Sequence, residues 1–251
     1  MKAPWSGDLK SGYNRFILAD VEGLLALKTW WASIFVLPVA NRLVTLAANR
    51  SNISPNQITI LSLFFRLGSG LAFLGTTRTG LAAGAVCYYL AYVFDCVDGP
   101  VARLTGRTSE FGRYFDHISD LFGDIFILCC LAFGQGLLFS AVLLAMVFGH
   151  LVEYYVSFLA GSVIKNSDHQ KLKSTNLMVL ALQKYREFFF SRNFKSFLSF
   201  PDYEAMVFIF FPLIGMPGKG LKIGFFLLIL IVSYTIFSTF ITILEGGDKF
   251  P

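Results

Sequence analysis

Six apolar runs constrain this chain more than any other feature: Ile58–Leu74, Gly80–Phe94, Leu121–Phe133, Leu137–Ile164, Met206–Ile214 and Ile223–Leu244. A bilayer core has no water to bond backbone amides, so runs of this kind cross it as helices that satisfy those groups internally. The fifth run is short by itself and draws on the preceding Ser199–Ala205. Composition agrees, since 55% hydrophobic residues, 15% charged residues and 28 Phe among 251 positions describe a chain dissolved in lipid. The expected fold is an all-α integral membrane protein with about six transmembrane helices. Cys87, Cys96, Cys129 and Cys130 lie inside apolar runs without the paired spacing of a zinc site or disulfide framework, and read as small buried hydrophobes.

Val21–Val39, ahead of the first run, is apolar and aromatic, with Trp30, Trp31 and Phe35 near Lys28. Glu22, Lys28, Pro38, Asn41 and Arg42 leave it short for a span, which favours an N-terminal interfacial amphipathic helix over an additional crossing. The chain accordingly divides into an N-terminal cytosolic or interfacial segment, 1–53, and a transmembrane domain, 54–251. No removable signal peptide is expected in Met1–Asp8, which lacks an early apolar core and a small-residue cleavage site. Ser54-Pro55-Asn56-Gln57 supplies an N-cap, a first-position proline and a capping-box glutamine. Gly106 is placed to end the second helix, and Thr108 or Ser109 with Glu110 to start the third. Asn176–Phe190 has the mixed pattern of a second amphipathic surface helix.

Lys and Arg gather before the first run (Lys2, Lys10, Arg15, Lys28, Arg42, Arg50), between the second and third (Arg103, Arg107, Arg113), and between the fourth and fifth. That last group comprises Lys165, Lys171, Lys173, Lys184, Arg186, Arg192 and Lys195, whereas the opposite loops hold only Arg78, Lys219 and Lys222. The positive-inside rule then puts both termini on the cytosolic side of a cell or organelle membrane. A net charge of +5 reads as attraction to membrane lipids, and no nucleic-acid partner is expected of a chain without a soluble basic domain.

Four carboxylates interrupt this apolar setting. Asp95 and Asp98 share one helix face, and so do Asp116 and Asp120, because positions three or four apart are neighbours on a helix. Two facing pairs make a four-carboxylate cluster, and unpaired charge at membrane depth costs kilocalories per group. Hard divalent cations prefer oxygen ligands, so one or two Mg²⁺ or Mn²⁺ ions are the expected occupants of a site built from Asp95, Asp98, Asp116 and Asp120.

The stretch from Asp95 to Asp120 resembles the signature of the CDP-alcohol phosphotransferase family, D-x-x-D-G-x-x-A-R-x8-G-x3-D-x3-D, with Asp95, Asp98, Gly99, Ala102, Arg103, Gly112, Asp116 and Asp120 at its eight fixed positions. The resemblance implies transfer of a substituted phosphate from a CDP-linked donor to an alcohol acceptor, with release of CMP, in phospholipid synthesis. It implies a two-ion site held mainly by Asp95, Asp98 and Asp116, with Asp120 as general base that also contacts metal. Gly99, Ala102, Arg103 and Gly112 then contact the nucleotide. Pro55-Asn56-x-x-Thr59 resembles a shorter family pattern near the cytidine pocket, although Asn56 and Thr59 also fit a simple helix start. The reading is compatible with a homodimer.

Local resemblances to branches of the family conflict. Arg103-Leu-Thr-Gly and Ser109-Glu-Phe-Gly are similar to phosphatidylserine synthases, and Phe115-Asp-His to choline and ethanolamine phosphotransferases. CDP-diacylglycerol is the favoured donor, because the site falls at the bilayer interface; transfer of a CDP-linked head group to diacylglycerol fits the same geometry. A cation or proton transporter would also use four aspartates, but has no need of Gly99, Ala102, Arg103 and Gly112 at these spacings. Arg66, Asp124 and Glu153 lie inside spans but outside the signature. A structural ion pair of Arg66 with Asp124 or Glu153 is favoured over acceptor binding. His117 faces away from Asp116 and is not counted as a ligand.

Overall fold

In the computed structural model, the described residues are 15–24, 27–50, 52–166 and 177–245, with side chains described at all of these except 160–166, 177–178 and 242–245. The expectations for Met1–Asp8, Lys2, Lys10, Lys171 and Lys173 fall outside the described residues. The element order is α1 (Leu18–Glu22), α2 (Leu37–Ala48), α3 (Pro55–Leu74), α4 (Arg78–Leu104), α5 (Glu110–Gly134), α6 (Ala141–Asn166), α7 (Leu177–Phe190), α8 (Phe200–Ala205), α9 (Phe211–Leu213) and α10 (Pro217–Glu245). π-helical turns at Ala32–Val36 and Met206–Phe210 lead into α2 and join α8 to α9.

Five helices among the described residues are long and apolar enough to cross a membrane: Pro55–Leu74, Arg78–Leu104, Glu110–Gly134, Ala141–Leu159 and Pro217–Ile241. The expected fifth crossing is instead the shorter run from Phe200 to Leu213, which does borrow the residues ahead of Met206. It is short because it starts inside the bundle. Phe200 packs on His150 and Tyr154 of α6, whereas Gly215, just past α9, lies beside Arg78 at the start of α4.

Local chemistry sets the ends. The Gln57 amide donates to Ser54 Oγ at 3.3 Å, and the Ser54 amide donates to Gln57 Oε1 at 2.9 Å, closing the expected capping box of α3. Thr77 caps α4 by accepting from the Gly80 amide at 3.1 Å. The α4 terminus turns at Gly106, whose φ of 67° is the left-handed conformation that glycine adopts without penalty.

The N-terminal helix departs from expectation. It begins at Trp30 and runs to Ala48, beyond Asn41 and Arg42, rather than over Val21–Val39. Its start is set by a distant residue: the Trp31 amide donates to Asp202 Oδ1 of α8 at 2.8 Å. Val36, Ala40 and Val44 are fully buried and share a core with Tyr92, Val93, Val97 and Val101 of α4. A second core joins Phe73, Tyr88, Leu128, Met146, Phe208 and Leu228. α3 packs chiefly on α4 and α5, and α6 on α10.

Candidate active site

The short connection between α4 and α5 brings the two aspartate pairs face to face. The Arg107 amide donates to the Ala102 carbonyl at 2.9 Å, completing the glycine-based helix stop at Gly106. Ser109 then caps α5 by accepting from the Gly112 amide at 2.9 Å. The helix start α3 closes the third side. A Cβ added at Gly112 would lie 3.2 Å from Asn56 Oδ1, so glycine there lets α3 and α5 approach.

Asp95, Asp116 and Asp120 each present a carboxylate oxygen within 4.8 Å of the others. Asp98 is buried beside them and touches Asp116, and its Oδ2 accepts a hydrogen bond of 2.7 Å from Thr59 Oγ1. Asp116 Oδ1 is buried without a hydrogen-bond partner. Carboxylates converge like this in an apolar interior when a cation compensates them, and an all-oxygen donor set with an orphaned buried atom fits Mg²⁺ or Mn²⁺.

All six residues expected to contact nucleotide, Asn56, Thr59, Gly99, Ala102, Arg103 and Gly112, line one cavity of about 470 Å³. Asp98 and Asp116 line it too, whereas Asp95 and Asp120 do not. Arg107 and Arg113 join Arg103 on the cavity wall, with Glu110 beside them paired to Arg113, a set that the sequence pattern suggested only as topology. His117 packs on the Tyr154 and Phe158 rings, with centroids 5.4 and 6.1 Å away, and is outside the carboxylate group.

Arg66 is the residue whose place was least foreseen. It is 4% exposed, and its guanidinium touches Asp120 while reaching Asp95 at 3.6 Å and Asp124 at 3.4 Å. The expected pairing with Asp124 is present, and the contacts with Asp95 and Asp120 add to it. Glu153 belongs elsewhere: it accepts from Ser157 Oγ at 3.2 Å and Thr235 Oγ1 at 3.1 Å. A signal for Arg66 was available. Thr59, Ser62, Arg66 and Ser69 recur at helical spacing on one buried face of α3, where Ser62 and Ser69 donate to the α4 carbonyls of Ala91 and Gly84.

Fold and site together define a multi-pass membrane protein with a carboxylate cluster beside a cavity lined by three arginines. The family model of the CDP-alcohol phosphatidyltransferases matches residues 52–198, and the chain belongs to that family. Among its relatives, the archaetidylinositol phosphate synthase of Pyrococcus horikoshii is 30% identical over 102 residues, 41% of this chain and 53% of that protein. The phosphatidylinositol phosphate synthase of Corynebacterium glutamicum is 33% identical over 93 residues, 37% and 39% of the two chains. The bifunctional IPC transferase and DIPP synthase of Thermococcus kodakarensis is 29% identical over 118 residues, 46% of this chain and 26% of the relative. The matched stretch thus spans about half or less of each relative. The crystal structure of Mycobacterium tuberculosis phosphatidylinositol phosphate synthase (PgsA1) with CDP-DAG bound superposes with a TM-score of 0.49 at 18% identity, covering 86% of this chain and 96% of that one.

Proposed function

We propose that this chain transfers a phosphatidyl group from CDP-diacylglycerol to an alcohol and releases CMP. The observation that carries the reading is the shared cavity, in which the six expected nucleotide contacts and two of the four aspartates line one space. The acceptor oxygen forms a bond to the lipid-side phosphorus, the phosphorus–oxygen bond to CMP breaks, and the acceptor proton passes to Asp120. Asp95, Asp98, Asp116 and Asp120 would hold Mg²⁺ or Mn²⁺, as two ions. When bound, such ions screen the diphosphate and polarise the phosphorus under attack.

The residues of the chain supply the rest. Thr59 fixes one oxygen of Asp98 and leaves the other to the site. Arg103 offers forked donors to the diphosphate, and Gly99 and Ala102 keep the α4 wall low beside it. Asn56 lies at the cytidine end. Inositol or its phosphate is the first candidate acceptor, a reading that the names of the relatives support and that neither local resemblance indicated. The cavity-wall arginines Arg103, Arg107 and Arg113 suit phosphate-bearing substrates. The arginines at this turn also support a site facing the cytosol.

Purified protein assayed with CDP-diacylglycerol against inositol, inositol phosphate, serine and glycerol phosphate tests the reading through CMP and lipid product. CMP formed only from CDP-choline or CDP-ethanolamine with diacylglycerol would move the assignment to head-group transfer. Cation flux in proteoliposomes, with no CMP from any donor, would replace it by transport.

A further inference from the structure

The carboxylate cluster is built with a permanent counter-ion. Arg66 divides its nitrogens among three aspartates: Nη1 contacts Asp120 Oδ1, Nη2 lies 3.6 Å from Asp95 Oδ1, and Nε lies 3.4 Å from Asp124 Oδ1. Asp124 is held from its other side by Tyr154 of α6, whose hydroxyl donates to Oδ2 at 2.8 Å. Gly123 makes room for the arginine stem, since a Cβ there would sit 2.6 Å from Arg66 Cδ. The guanidinium therefore takes one aspartate from each signature pair, Asp95 and Asp120, and these are the two that do not line the cavity. Asp98 and Asp116, which line the cavity, are not among the carboxylates that Arg66 pairs with.

We propose that Arg66 is a positioning residue that withholds one oxygen of Asp120 and one of Asp95 from the cations, weakening ion binding while keeping the second oxygen of Asp120 aimed at the acceptor hydroxyl. The inference rests on the phosphotransfer reading only for the acceptor. A guanidinium and a metal ion compete for the same carboxylate lone pairs, and arginine cannot escape the competition by losing its proton. Its planar fork spans several carboxylates at once, which the single ammonium of lysine does not. Without Arg66, both oxygens of Asp120 would be available to a bound ion, and neither would be reserved for the proton. The geometry thus predicts opposite signs for two measurable quantities.

Mn²⁺ binding to detergent-purified protein, followed by electron paramagnetic resonance without substrate, is compared with turnover measured by CMP release. Arg66→Gln should bind Mn²⁺ about tenfold more tightly, the effect of removing one adjacent charge, while kcat falls by about 100-fold. Arg66→Lys should show both signs at smaller size, and it tests the proposal if the glutamine variant does not fold. In the Asp120→Asn background, Arg66→Gln should cost little further turnover, because both act through one carboxylate. A role in folding alone predicts weaker Mn²⁺ binding and a lower melting temperature together. Binding and turnover that fall together, or that both stay unchanged, would overturn the proposal, as would additive losses in the double variant. If wild-type protein releases no CMP from any donor, the phosphotransfer reading fails, and the Mn²⁺ comparison still decides what Arg66 does to the ions.

Discussion

Asp120 serves two neighbours, with one oxygen against Arg66 and the carboxylate as a whole within the Asp95–Asp116 group. Its substitution should therefore separate chemistry from binding. Asp120→Asn is expected to lower kcat by about 10²–10⁴-fold with a smaller change in donor affinity, measured by single-turnover kinetics and donor titration. Loss of donor binding with intact turnover of bound donor would make Asp120 a ligand first. Asn at Asp95, Asp98 or Asp116 removes ligand charge and should abolish CMP formation in protein that still inserts. EDTA should do the same reversibly, and full activity in metal-depleted membranes would remove the cation from the scheme. Thr59 makes a subtler case. Thr59→Val deletes the 2.7 Å hydrogen bond that orients Asp98, and loss of such a supporting contact typically costs about 10–100-fold in metal affinity. The expected result is a raised Mn²⁺ half-saturation that exceeds any loss of cytidine nucleotide affinity, and an unchanged half-saturation would show that the hydrogen bond does not orient Asp98 for the ion.

At the scale of elements, what was legible from sequence depended on how local the cause was. The capping box at Ser54 and Gln57, the stop at Gly106 and the start at Ser109 are made by residues within a turn of one another, and each falls where the pattern put it. The four aspartates were legible because two helix periods and one short turn suffice to bring them together. The N-terminal helix was not, because its boundary depends on Asp202, 171 positions away from Trp31. Arg66 was half legible: its face on α3 follows from Thr59 and Ser62, but which carboxylates it meets depends on how α3 rests on α5. Asp202 also accepts from Ser199 Oγ at 2.6 Å, so it serves α8 as well as the Trp30 helix. Asp202→Ala should destabilise the protein by about 2 kcal/mol, two ordinary cap losses. Unfolding of purified protein in mixed micelles measures it, and an unchanged midpoint would show that neither cap contributes.

For the whole molecule, alternation of the helices commits each connection to one side. The turns around Gly75–Thr77, Phe139 and Gly215 belong together, opposite Arg107 and Ser191. In a chain whose four cysteines are replaced, single cysteines at Ser191 and Phe139 should react with an impermeant maleimide from opposite faces of sealed vesicles, Ser191 from the cytosolic face. Labelling from the same face would break the proposed order of crossings. The link between Trp31 and Asp202 bears on how the molecule is made. The segment around Trp30 leaves the ribosome early, yet the carboxylate that caps it, and Asn193, whose carbonyl accepts from the Lys28 amide at 2.8 Å, are synthesised only after α6 and α7. The helix from Trp30 to Ala48 is therefore translated before the residues that anchor its start and is among the last to settle, and nascent chains truncated before Asp202 should leave it open to protease while α3, α4 and α5 are already paired.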